Sequence, residues 1–333
     1  MAEYIGIKGS TIQSLSSDPP APIEGQVWYN TTSTVLKGYK LTFGTGTWAA
    51  GDTANETRAA GAGFGTATAA VQATGTQNPG GNITNAETYN GSTWSEVNNI
   101  NTAGDSIAAC GIVTAGIINS RSPGSLLTES WDGTCWSEVN DQNDSSRGKR
   151  ADAGTQAGAV CMGGEAHPAV MNETETWDGT CWTPVAGVLN NGRSVNYGGA
   201  GTSTAAIVSG GAPPSNSPVY GYTEIWDGTS WTEVADMNNP IVYGGAAGTT
   251  TDSVYAGGIG PPGNVGQNNA ESWNGTSWST ATVLGTAVTA VSSAGNGTAG
   301  LILSGYLVPW ATTGISQEWT VPSGNETKTF TAS

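Results

Sequence analysis

Five glutamates recur in one local setting along this chain of 333 residues. Glu87, Glu129, Glu175, Glu224 and Glu271 each stand two positions before an aromatic residue. Carboxylates gathered this way could act as general acids and bases or hold calcium. Their repetition argues for structure instead, since a group present in every copy ordinarily satisfies backbone donors of its own copy. Asp132, Asp178 and Asp227 follow the aromatic residue, and Asn90 and Asn274 replace them elsewhere. That position needs a turn-forming side chain rather than a charge, which speaks against metal. The single histidine, His167, removes most histidine-based catalysis and most histidine-rich metal sites. Cys110, Cys135, Cys161 and Cys181 form no C-x-x-C pair, and Cys135 and Cys181 stand where other copies have Ser or Thr. They read as small reduced side chains rather than a disulfide frame, as in a chain that folds in a cytosol. No catalytic residue, metal or cofactor is expected.

The charge balance is 10 Lys and Arg against 26 Asp and Glu, a net charge of −16. So acidic a chain is a poor partner for nucleic acid or an anionic membrane, where basic contacts dominate. With 50 glycines, helix is disfavoured, at about 1 kcal/mol per glycine relative to alanine. No apolar run approaches the ~18 residues of a membrane span, so no membrane insertion is expected. The start, Met1-Ala2-Glu3-Tyr4-Ile5-Gly6, has no basic and apolar leader, so no signal peptide is expected either. The length suits one large domain and a small one.

The elements that must position these residues repeat. Glu87-Thr88-Tyr89-Asn90-Gly91-Ser92-Thr93-Trp94 returns as Glu129 through Trp136, Glu175 through Trp182, Glu224 through Trp231 and Glu271 through Trp278. The closing tryptophans fall at 94, 136, 182, 231 and 278, giving steps of 42, 46, 49 and 47 residues. A worn copy lies at Phe43-Gly44-Thr45-Gly46-Thr47-Trp48 and a truncated one at Gln317-Glu318-Trp319. Asn-Gly or Asp-Gly between aromatic-bearing runs is a strong hairpin signal, because both turn residues accept positive φ. Trp94, Trp131, Trp136, Trp177, Trp182, Trp226, Trp231, Trp273 and Trp278 therefore read as packing residues of paired strands. Gly163-Gly164, Gly210-Gly211 and Gly257-Gly258 end apolar runs at the same step, with weaker versions at Gly75, Gly116 and Gly305. Each unit thus reads as four strands in about 47 residues, and Gly-rich first strands suit a place where several backbones converge.

This pattern resembles the kelch repeat, which implies an all-β, kelch-like β-propeller over residues 51–333. Six four-stranded blades fit the length, with seven as the alternative. Phe43–Trp48 is expected to supply the outer strand of the blade ending in Glu318-Trp319; the alternative gives that place to Lys328–Thr331. Residues 1–50 differ in texture. Asp18-Pro19-Pro20-Ala21-Pro22 reads as a stiff linker, and Gly25 to Tyr39 as a β-hairpin. The run Gly25-Gln26-Val27-Trp28-Tyr29-Asn30-Thr31-Thr32 followed by Leu36-Lys37-Gly38-Tyr39 resembles segments of virion and tail-fibre-like proteins of bacteriophages, of the cyanophage type. That resemblance implies a short N-terminal segment attaching to other virion proteins. It also implies homo-oligomers in the virion, synthesis in the host cytoplasm and a place on tail or capsid.

Enzymes on related scaffolds set tests the chain does not meet. Kelch-type copper radical oxidases need two histidines, and only His167 is present. Sialidase-like propellers need three arginines converging on one pocket, whereas Arg58, Arg121, Arg147, Arg150 and Arg193 differ in repeat position. The loops after the Gly-Gly landmark are close in length and unlike in sequence, as in a scaffold that displays recognition residues. The candidate binding residues there are Tyr220, Tyr222, Tyr306 and Trp310, with Arg121 and His167 as polar partners. Aromatic and amide groups suit sugars, so the expected partner is a host surface glycan or protein. A structural decoration protein of capsid or tail is the first alternative, and a polysaccharide-cleaving enzyme the second.

Overall fold

A computed structural model describes residues 12–23, 26–121, 125–143, 148–166, 169–194, 198–261 and 265–330. The protein is all-β, with no helix among these residues. It divides into two compact units, one of Gly46–Thr320 and one of the residues up to Thr45 with those from Val321 onward. The expected boundary at residue 50 thus moves slightly. The last strand also leaves the repeat region, because Ser323–Phe330 pairs along its length with Val35–Phe43.

The larger unit holds six four-stranded antiparallel sheets in a propeller-like arrangement. Sheet I consists of Ala62–Thr66, Ala69–Ala73, Ala86–Tyr89 and Trp94–Val97, and sheet II of Ala108–Ile112, Ala115–Asn119, Thr128–Trp131 and Trp136–Val139. Sheet III is Ala151–Thr155, Gly158–Met162, Thr174–Trp177 and Trp182–Val185; sheet IV is Gly199–Thr202, Ala205–Ser209, Thr223–Trp226 and Trp231–Glu233. Sheet V is Gly245–Gly248, Ser253–Ala256, Ala270–Trp273 and Trp278–Thr280. In sheet VI, Ser292–Gly295, Ala299–Leu307 and Ala311–Thr320 are joined by Thr47–Ala50, with Trp48 opposite Trp319. The first strands of successive sheets pack side by side, and that of sheet VI packs against that of sheet I.

Crowding among the first strands explains their glycines. A Cβ on Gly63 would lie 2.7 Å from Ser292 Cβ, and one on Gly199 would lie 2.9 Å from Ala151 Cβ. Two residues before the first strand, Ala60, Ser106, Lys149, Tyr243 and Ala290 all take positive φ, between 53° and 66°. This conformation carries backbone bonds from sheet to sheet. Ser106 N donates to Ala60 O, Lys149 N to Ser106 O, Ala290 N to Tyr243 O and Ala60 N to Ala290 O. The Gly-Gly landmark is likewise a left-handed position, occupied by Thr74 (φ 53°), Ser120 (φ 56°) and Ser304 (φ 53°) in the sheets without paired glycines. In sheet II the landmark is therefore Ser120-Arg121, not Gly116, which sits inside the second strand.

The tryptophans work in pairs across the third and fourth strands, with ring centroids 5.0 Å apart in Trp131–Trp136 and 5.5 Å in Trp177–Trp182. Each such ring buries about 150–250 Å². The fourth-strand indole also ties its sheet to the preceding one. Trp182 Nε1 donates to Thr128 Oγ1, Trp231 to Thr174, Trp278 to Thr223 and Trp94 to Ser316. Among the described residues Trp136 and Trp48 have no such partner. Ala86 and Ala270 occupy the positions at which the other sheets place a hydroxyl.

In the smaller unit, Val27–Asn30 and Val35–Phe43 form the expected hairpin, and Gln13–Leu15 pairs in parallel with Val27–Asn30. Asp18 is the clasp rather than part of a free linker. Its carboxylate accepts from Trp28 Nε1 (3.0 Å), Asn30 Nδ2 (2.7 Å) and Lys37 Nζ (2.7 Å). The bonds from Lys37, Asn30 and Trp28 lower its pKa to about 2.

Two outcomes follow from these bonds. Ala86→Thr should give Trp136 an acceptor and raise unfolding free energy by about 1 kcal/mol, whereas Thr128→Ala should lower it by about 1–3 kcal/mol; both are measured by denaturant titration. Because the folded-state pKa of Asp18 lies below its ordinary value, its stabilisation is complete above about pH 4 and lost as pH falls toward 2. Asp18→Asn should flatten that acid limb, read from Trp28 fluorescence in a variant whose other reporters are held constant.

Candidate functional site

The repeated carboxylates lie inside the sheets. Glu87, Glu129, Glu175, Glu224 and Glu271 are at most 1% exposed. Their donors come from the segment that leads in from the preceding sheet. Asn55, Asn101, Asn143, Asn190 and Asn238 each give a backbone N–H to the glutamate Oε2. The same side-chain amides reach the fourth-strand tryptophan carbonyls of Trp94, Trp136, Trp182, Trp231 and Trp278. Each asparagine lies seven residues, or eight for Asn190, beyond the preceding fourth-strand tryptophan. That spacing was available in the sequence and was missed.

Four arginines complete the carboxylate sites. Arg58 pairs with Glu87 (2.6 Å), Arg121 with Glu129 (2.7 Å), Arg150 with Glu175 (3.2 Å) and Arg193 with Glu224 (2.5 Å). Arg58 and Arg193 each follow their asparagine by three residues, whereas Arg121 and Arg150 come from other positions. Arg121 stands at the second landmark position, where Gly75, Gly164 and Gly211 stand in sheets I, III and IV. Its side chain fills the space over Gly104, the residue three beyond Asn101. The arginines thus meet one carboxylate per sheet rather than one shared pocket. In sheet V, Asn239 serves Glu271 with a backbone and a side-chain N–H. In sheet VI the carboxylate itself is replaced by Gln317, which exchanges bonds with Thr286. Asp132, Asp178 and Asp227 cap their turns by accepting two backbone N–H bonds each, which holds their carboxyls below the usual range.

One buried polar group is electrostatically unusual. Between sheets II and III, Asn119 donates to Asp152, and Ser120, Gln142 and Cys161 complete the network. Burial pushes the Asp152 carboxyl up to about 6 and raises the Cys110 and Cys161 thiols well above their ordinary value. A thiol held neutral is a weak nucleophile. Among the described residues no group of three or more His, Cys, Asp or Glu could hold a metal ion. The chain matches no protein-family model and no curated protein sequence.

The loop residues do not come together in one place. Arg121, expected as a surface partner, is 1% exposed and committed to Glu129. His167 lies outside the described residues. Tyr220 and Tyr222 stack at 4.8 Å beside sheet IV, with the Arg193 guanidinium 5.9 Å from the Tyr222 ring. Tyr306 and Trp310 meet edge to face at 5.6 Å on the hairpin that extends sheet VI. Tyr306 also packs against the Ala59, Ala60 and Ala290 cluster with Tyr243. Trp310 is 55% exposed and borders a mainly apolar cavity of about 220 Å³. A second cavity, of about 120 Å³, is lined by the first strands of all six sheets. Both are smaller than the ~300–1,000 Å³ of pockets for drug-sized ligands.

The paired charges can be tested as a unit. Arg58→Val alone leaves Glu87 buried without its guanidinium partner, and should cost about 3–5 kcal/mol. Adding Glu87→Gln reproduces the neutral arrangement of sheet VI, and the double variant should recover at least ~1 kcal/mol of that loss in a double-mutant cycle.

Proposed function

We propose that residues 46–320 form a closed, six-bladed propeller of the kelch type, and that the chain is a non-enzymatic phage virion protein. Its task in this reading is attachment, as a tail fibre or tail-associated receptor-binding protein. The smaller unit joins it to other virion proteins. Closure is supported by Thr47–Ala50 taking the outer place in sheet VI and by the backbone bond from Ala60 to Ala290. The virion reading rests on the resemblance of the Gly25–Thr32 and Leu36–Tyr39 runs. Their Trp28, Asn30 and Lys37 are the three residues that grip Asp18, so that motif has a structural basis in the smaller unit.

The observation that carries the binding role is the division of labour between frame and loops. The repeated Glu, Arg, Asn and Trp residues are consumed in bonds within and between sheets. The loops after the second strands vary, and two of them present the Tyr220–Tyr222 and Tyr306–Trp310 aromatic pairs. Rigid framework with variable loop residues is a general architecture of recognition.

Immunogold electron microscopy on particles from the source culture, with antibody to the propeller, tests the assignment. Label at tail tips is the expected result; label over the capsid would make the protein a decoration subunit, and unlabelled particles would remove the virion reading. Replacing Tyr220, Tyr222 and Trp310 together by Ala should abolish cell attachment while particles still assemble. Loss of assembly with attachment intact would favour the decoration role.

A further inference from the structure

The sheet edges of this protein are short, with one exception. Among the described residues every edge strand has five residues or fewer, except Ser323–Phe330, which has eight. On one side it pairs with Val35–Phe43, and on the other no described strand lies beside it. The opposite edge of the same sheet, Gln13–Leu15, has three residues. A long edge carries a row of backbone N–H and C=O groups without strand partners, and is a template for another strand unless a proline, a bulge or a covering segment blocks it. Ser323–Phe330 contains no proline, and its register with Val35–Phe43 is unbroken.

The charges of this strand select the strand that fits it. Glu326 and Lys328 are its only charged residues. Within the sheet Glu326 stands opposite Lys40, whereas Lys328 stands opposite Gly38. An antiparallel copy of the same strand, centred on Thr327, would set Glu326 of each chain opposite Lys328 of the other. Opposite charges facing each other across strands are stabilising, and like charges are destabilising. A parallel copy in register would instead set Glu326 opposite Glu326 and Lys328 opposite Lys328. So would half of the antiparallel alternatives: a slip of two residues brings either the glutamates or the lysines face to face.

The distribution of charge over the chain points the same way. The smaller unit has four Lys against four Asp and Glu, hence no net charge. The net charge of −16 therefore lies wholly on residues 46–320. Two copies of so acidic a unit repel each other, and the neutral unit is where a second copy can approach without that penalty.

We propose that two copies of this chain associate through Ser323–Phe330, paired antiparallel about a two-fold axis at Thr327, so that their smaller units share one continuous sheet. Backbone hydrogen bonds supply the attraction, and the two Glu326–Lys328 pairs set direction and register. The contact is isologous, so it uses up the free edge of both copies and stops at a dimer. It goes beyond the attachment reading and does not depend on it.

Sedimentation equilibrium of the full chain, over a concentration series from micromolar to submillimolar, tests the pairing. The unaltered chain should approach twice its mass of 33.6 kDa. Lys328→Glu turns both attractive pairs into repulsive ones and should weaken dimerisation at least about tenfold. Glu326→Lys should do the same when combined with Lys40→Glu, which keeps the opposite-sign pair inside the sheet. The triple variant Lys40→Glu/Glu326→Lys/Lys328→Glu restores every facing pair with its signs inverted, and should dimerise as the unaltered chain does. An equimolar mixture of Lys328→Glu with Lys40→Glu/Glu326→Lys should form a mixed dimer for the same reason. Thermal unfolding of each variant checks that the sheet is intact, and recovery in the triple variant and the mixture distinguishes lost association from lost folding. A chain that stays monomeric throughout the series would overturn the proposal. So would a trimer or larger assembly, a dimer indifferent to Lys328→Glu, or failure of both the triple variant and the mixture to recover.

Discussion

A carboxylate buried between strands has lost its water and needs N–H groups to converge on it in exchange, and in this protein that demand governs how one sheet is joined to the next. The third-strand glutamate cannot be satisfied by its own strand, whose backbone groups are taken up in pairing. The donors arrive on the incoming connection instead, through an asparagine whose backbone and side chain bind the glutamate and whose amide also holds the adjacent tryptophan carbonyl. The path of the connection is thereby fixed at the point where it turns toward the first strand. A buried ion pair is weak evidence for stability in itself, because desolvation offsets much of the attraction. Its use here is better described as register: the arginine, asparagine and glutamate meet only when sheet and connection are correctly aligned.

The irregular copies show which parts of this arrangement are obligatory. Sheet V keeps its glutamate with Asn239 where other sheets bring an arginine, and sheet VI has Gln317 in place of the glutamate, so among the described residues neither charge is obligatory provided the buried group still meets its partners. Sheet II keeps the pair but brings the arginine from the other side, with Arg121 replacing a landmark glycine and Gly104 vacating the usual arginine position. The indole bonds vary by the same logic. They are present where the neighbouring sheet has Thr or Ser and absent at Trp48 and Trp136, where it has alanine.

Much of the strand order was legible because its signals are local. The Asp-Gly and Asn-Gly turns, the flanking aromatic residues and the paired glycines each act within a few residues, and repetition made them stand out. The arginine partners were not legible: the separations to their glutamates are 29, 8, 25 and 31 residues, so no common spacing marks them. Nor was the destination of the last strand. Ser323–Phe330 has no pattern that distinguishes pairing with Val35–Phe43 from pairing within the repeats, and only the long register between them decides it. In the candidate site, aromatic residues on variable loops were readable at Tyr220, Tyr222, Tyr306 and Trp310, although only Trp310 is exposed and the three tyrosines are half-buried.

Thr47–Ala50 and Ala311–Thr320 belong to one sheet although most of the chain separates them. Contacts so distant in sequence are slow to form, since the intervening chain must first surrender its freedom. On the ribosome, Thr47–Ala50 emerges before every other strand of the larger unit and can be paired only after the last of them has been made. The sheets between can assemble in order of synthesis, each resting on its predecessor, while the earliest strand stays unpaired. Completion of sheet VI therefore waits until Ala311–Thr320 has been made, and a chain released before then would leave Thr47–Ala50 without its partner strand.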